Sequence, residues 1–137
     1  MPTMKTAGLV SMLILLSGCA HVEPKPINEY DVIRKTRLFS IGRITDAGVL
    51  SDAEIAFRAL LEDPAGKEQF RQLLSTATPA GQLYGLLGLR LRDKRAFEAA
   101  APRYLASHTE VSTMEGCSAG TAQTKDIARK ISIGYFK

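Results

Sequence analysis

Histidine and cysteine are scarce in this 137-residue chain, with two of each. The histidines, His21 and His108, lie far apart. Glu110, Glu115 and Cys117 are near His108, but their spacing matches no zinc pattern, so no metal site is predicted. His108 reads more simply as a solvated side chain at a helix end, where its positive form suits the helix dipole. Also missing are a Gly-x-Ser-x-Gly elbow, a phosphate-binding loop and a His-Glu-x-x-His pair. The adjacent carboxylates Glu62 and Asp63 read as solvated charges at a helix end. With no nucleophile, base or cofactor motif in view, the expectation is a non-enzymatic protein with no catalytic residues and no cofactor.

Charge and hydropathy exclude further classes. Eighteen basic residues face fourteen acidic ones, for a net charge of +4. That excess falls far short of a nucleic-acid footprint, so no nucleic-acid partner is expected. Long apolar runs are absent too. The run from Ala7 to Leu16 covers about ten residues, where a membrane span needs roughly 20.

What is present at the amino terminus has the layout of a secretory signal. One positive charge, Lys5, precedes the short apolar run, and Leu16-Ser17-Gly18-Cys19 follows it. Those four residues resemble the lipobox of bacterial lipoproteins. The resemblance implies that the Cys19 thiol receives a diacylglyceryl group, that residues 1–18 are removed, and that the new amino terminus is acylated, as with palmitate. Two or more acyl chains give stable membrane attachment. Ala20 stands where an aspartate would resemble an inner-membrane retention signal, so the expected location is the outer membrane, facing the periplasm.

If Cys19 carries lipid, Cys117 is the odd cysteine of the mature chain. The first expectation is a thiol buried as a small hydrophobe; an intermolecular bridge and a reactive, enzymatic thiol are the alternatives. Residues 19–29 then form a lipidated start and a tether. Pro24 and Pro26 disfavour helix there, and ten extended residues reach roughly 33–36 Å.

The remainder, 30–137, reads as one domain. A short helix or strand near 29–37 leads into a loop. Ser51 and Glu54 fit a capping box, in which Glu54 reaches back to the cap amide. Behind it Ile55, Ala56, Ala59 and Leu60 recur at helical spacing. Asp63-Pro64 ends that helix and opens a second through Phe70, Leu73 and Leu74. Thr78-Pro79 opens a third, with Leu83, Leu86, Leu87 and Leu91 as its buried face. Its glycines 81, 85 and 88 each cost about 1 kcal/mol relative to alanine, which suits a helix that a neighbour approaches closely. Asp93 caps a fourth helix, in which Pro102 predicts a kink or break. Thr109, Val111 and Thr113 alternate and allow a short extended segment near 109–114. A final helix is expected from about Thr124 to Ser132. The predicted fold is all-α: a small bundle of four to five amphipathic helices, or two HEAT-like helical hairpins at 51–76 and 78–106.

Arg90, Arg92, Lys94 and Arg95 cluster around a helix turn. Solvation and favourable charge at a helix C-terminus explain them; the functional alternative is a patch for an anionic partner. Arg34, Lys35 and Arg37 form a second cluster nearer the tether. The functional expectation is an envelope lipoprotein that presents a helical interaction domain to a periplasmic protein partner. A periplasmic inhibitor or immunity-like protein is the alternative.

Overall fold

The computed structural model describes residues 26–42, 44 and 47–136. Cys19, the lipobox and most of the tether lie outside the described residues.

The chain order is α1 (Glu29–Lys35), β1 (Leu38–Phe39), α2 (Asp52–Glu62), α3 (Gly66–Thr76), α4 (Pro79–Arg92), α5 (Lys94–Leu105), β2 (Glu110–Glu115), β3 (Ser118–Gln123) and α6 (Thr124–Ser132). The four central helices begin and end close to the expected places, because local chemistry sets their ends. Ser51, Thr78 and Asp93 each accept a hydrogen bond from the backbone amide three residues on, as N-caps do. Pro102 interrupts nothing: α5 continues through it and ends at Leu105. So close to the end of the helix, its missing N–H breaks little of the ladder.

The all-α expectation is wrong. The fold is mixed α/β, with helices packed on a three-stranded sheet in the order β1-β2-β3. β2 is the expected extended segment, but it is one arm of a hairpin. Its partner β3 pairs antiparallel from Glu115–Ser118 to Glu110–Gln123. Gly116 takes the turn at φ 57°, a left-handed conformation that favours glycine. On the other side β1 pairs parallel with β2, Leu38 opposite Ser112 and Phe39 opposite Thr113. β1 is two residues long and comes from the far end of the domain sequence, so no local pattern announces it.

The HEAT-like alternative also fails. In a solenoid each repeat touches only its neighbours. Here α4 contacts every other helix as well as β1 and β2. Its residues Leu83, Tyr84, Leu86, Leu87 and Leu89 are buried in succession, as in a helix enclosed on all sides. Leu91 leaves the expected stripe and is 45% exposed.

The approach of α3 to α4 explains Gly85 and Gly88. A Cβ on Gly88 would stand 2.3 Å from Cγ of the Phe70 ring, and one on Gly85 would stand 2.8 Å from the Phe70 carbonyl oxygen. The rings of Phe57 and Phe70 pack 5.5 Å apart, and Phe57 lies 5.7 Å from Tyr84, so the space over Gly88 is already filled.

Gly88→Ala is expected to destabilise the domain by about 2 kcal/mol, since overpacking outweighs the gain in helix propensity. Denaturant unfolding measures this. Gly88→Ala combined with Phe70→Leu is expected to lose less than the sum of the two single substitutions. A fully additive pair would refute the steric explanation.

Candidate functional site

The basic cluster at 90–95 sits at the junction of α4 and α5, and its members turn to different neighbours. Arg90 places its guanidinium carbon 6.0 Å from the centre of the Phe97 ring. Arg92 donates from Nη1 to the Leu61 carbonyl and to the Asp63 carbonyl at 3.3 Å. It thereby serves the Leu61 carbonyl in the last turn of α2, while the Asp63 carbonyl also accepts the Gly66 N–H at 2.9 Å. Lys94 is 80% exposed and pairs with Glu98 at 3.7 Å, a surface contact of small energetic value. Arg95 borders a groove of about 500 Å³ with Arg71, Leu74, Leu89, Asp93 and Ala96.

Asp93 ties this junction together. Its Oδ1 accepts the Ala96 N–H at 3.2 Å, and its Oδ2 faces Arg71 at 3.1 Å and Lys67 at 3.4 Å. The Ala96 amide above all holds its carboxyl below the usual carboxylate range; desolvation comes next and opposes it, and Lys67 and Arg71 each add a smaller lowering. One carboxylate therefore caps α5 and draws α3 onto the same corner.

A second groove, of about 450 Å³, runs between α1 and α2 and is apolar. Ile27, Val32, Ile55 and Ala59 line it, with Glu29 and Asp52 beside them. Ile27 is 74% exposed and Ile55 54% exposed. The helical spacing of Ile55 and Ala59 places them on the apolar stripe of α2, yet both are exposed. The core takes Ala53, Glu54, Ala56, Phe57 and Leu60 from α2 instead. Sequence reasoning missed this groove; its only signal is Ile55 with Ala59 one turn on, flanking a face that is already complete. Arg34 and Lys35, from the second basic cluster, belong to the last turn of α1; Arg37 is exposed just beyond it.

Glu54 is buried for a reason unlike the expected capping box. Ser51 does accept the Glu54 N–H, at 3.1 Å. The Glu54 carboxylate, however, accepts the Gly42 N–H at 2.8 Å and two guanidinium N–H groups of Arg58 at 2.7 and 3.1 Å. It pins the segment after β1 to α2. Nearby, the Tyr84 hydroxyl donates to the Ser40 carbonyl at 2.7 Å and accepts the Ser40 N–H at 3.1 Å. Burial pushes this phenol up from its ordinary value, and the group serves as a structural clamp.

Cys117 is not the buried hydrophobe expected. It is exposed in the turn between β2 and β3. His108 lies before the other end of β2, its Nδ1 3.3 Å from Oε1 of Gln123. The length of the strand separates it from Cys117 by about 20 Å or more. Among the described residues, no group of three or more histidine, cysteine, aspartate or glutamate side chains gathers to hold a metal ion.

The lowered pKa of Asp93 gives a pH prediction with a definite sign. Its contribution to stability is fully present above the unfolded carboxylate value, about 4, and is lost as pH falls through the lower folded value. Asp93→Asn is expected to lower the melting temperature at pH 7, with the deficit shrinking below about pH 3. Melting curves across this range measure it; a deficit independent of pH would rule out the charge as its cause.

Compared with known proteins, the chain matches no family model, no curated protein sequence and no solved structure.

Proposed function

We propose that this chain is a lipid-anchored protein of the bacterial envelope, held at the outer membrane and facing the periplasm, whose folded part is a non-catalytic interaction domain. The observation that carries the reading is Leu16-Ser17-Gly18-Cys19 directly after an apolar run too short to span a bilayer. Among the described residues, no helix is long and apolar enough to cross a membrane, so attachment in this reading rests on the lipid.

The domain begins about ten residues beyond the lipidated position, since α1 starts at Glu29. The apolar groove between α1 and α2 includes Ile27 and so adjoins the tether. Exposed apolar side chains with carboxylates beside them suit a partner segment that offers apolar anchors flanked by a basic residue. A partner bound there meets the domain within tether reach of the membrane.

Cys19→Ser is expected to abolish lipid labelling and move the protein out of the membrane fraction. A wild-type protein wholly in the soluble fraction would overturn the proposal, and a membrane-bound, uncleaved Cys19→Ser protein would make the signal itself the anchor. For the groove, Ile55→Glu is expected to reduce crosslinking to envelope proteins severalfold with an unchanged melting temperature. Undiminished crosslinking would remove the groove from the interaction surface.

A further inference from the structure

We infer that the outer edge of β3 is a self-pairing surface, through which two copies of this chain join their sheets antiparallel about Thr121. In the sheet order β1-β2-β3, β3 has, among the described residues, a strand partner on one side only. The register settles which of its backbone groups face outward. A two-residue turn closes on the pair Glu115–Ser118, so these two residues point their amide and carbonyl groups at one another. Alternation then turns Gly120 and Ala122 inward and Ala119, Thr121 and Gln123 outward. The far end agrees: the Thr124 N–H points inward, to the Thr109 carbonyl at 2.8 Å.

The outward set is self-complementary. With a twofold axis at Thr121, this residue meets Thr121 of the second copy and exchanges both backbone bonds with it. Ala119 meets Gln123 of the second copy, whose N–H reaches the Ala119 carbonyl, and the same contact recurs on the other side of the axis. This is the isologous contact of a twofold dimer. Registers centred elsewhere leave part of the outward set unmatched.

The side chains permit such an approach. β3 reads Ser-Ala-Gly-Thr-Ala-Gln, and its first four residues are exposed. It carries no charge, so pairing with its own copy opposes no like charges. The lysine, proline and bulge that usually blunt an edge strand are all absent from it. Small side chains leave the backbone open to approach, and the two Thr121 hydroxyls can bond across the axis. Tethering copies to one membrane would only raise their encounter frequency; the pairing geometry does not depend on the anchor.

The test is site-specific crosslinking of the full-length chain, purified in detergent. Thr121→Cys in a Cys117→Ser background, treated with a crosslinker spanning a few ångströms, is expected to give a dimer band at least tenfold above the Cys117→Ser parent. Ala99→Cys, an exposed site on α5, is expected to stay at the parent level. Adding Gln123→Pro removes the outward N–H that reaches Ala119 of the second copy, at a residue whose φ of -75° already suits proline, and is expected to suppress the Thr121→Cys dimer at least tenfold. Thr121→Lys, which leaves the backbone unchanged and opposes two like charges at the axis, is expected to shift wild-type dimer to monomer in sedimentation with an unaltered melting curve. No Thr121→Cys dimer above the parent, equal crosslinking at position 99, or a dimer indifferent to both Gln123→Pro and Thr121→Lys would overturn the proposal.

Discussion

Helix α4 buries side chains in nearly every direction along most of its length, and the rest of the domain is arranged to satisfy that demand. The leucines and Tyr84 need apolar cover on opposite sides of one cylinder, which a single neighbouring helix cannot supply. α3 covers one side at the close distance that Gly85 and Gly88 permit. α1, α2, α5, α6 and two strands of the sheet complete the enclosure. The enclosure also creates a polar obligation, because the Tyr84 hydroxyl goes into the core with the ring. A buried hydroxyl without a partner would be costly. The backbone of Ser40 meets it with both a donor and an acceptor, and this fastens the end of β1 to the central helix.

Charges work mainly as fasteners between elements. Glu54 holds the segment after β1 against α2, Arg92 closes the end of α2, and Asp93 joins α3 to the start of α5. Arg92 and Asp93 satisfy backbone groups left over where helices end, and Glu54 satisfies the Gly42 amide after β1; charge-assisted bonds are the strong ones. Several ionic residues that stand out in the sequence are thereby committed to architecture. The surfaces left for partners are of another kind: an apolar groove beside the tether, and a strand edge with its backbone groups directed outward. Both suit recognition by packing and main-chain pairing more than by charge. That suits the lipid-anchored interaction domain proposed above.

The sequence by itself determined the helix ends and most of the helical core. Ser51, Thr78 and Asp93 cap their helices through contacts three residues away, and Phe70, Leu83 and Leu87 are buried where their periodicity places them. These features were legible because the interactions behind them are short-range. The resemblance of Leu16-Ser17-Gly18-Cys19 to a lipobox is local in the same sense, and those residues lie outside the described ones. Only the tertiary structure decided the sheet, the exposure of Cys117, the groove at Ile55 and the separate commitments of Arg92 and Asp93. β1 has two residues and meets a strand more than seventy positions later, and β3 is built of small residues with weak strand preference. Neither is a strand until α4 supplies a surface to dock on and Gly116 turns the chain. The physical reason is range: caps and periodicity act within a turn or two of helix, whereas sheet pairing and surface exposure depend on which distant segments α4 gathers around itself.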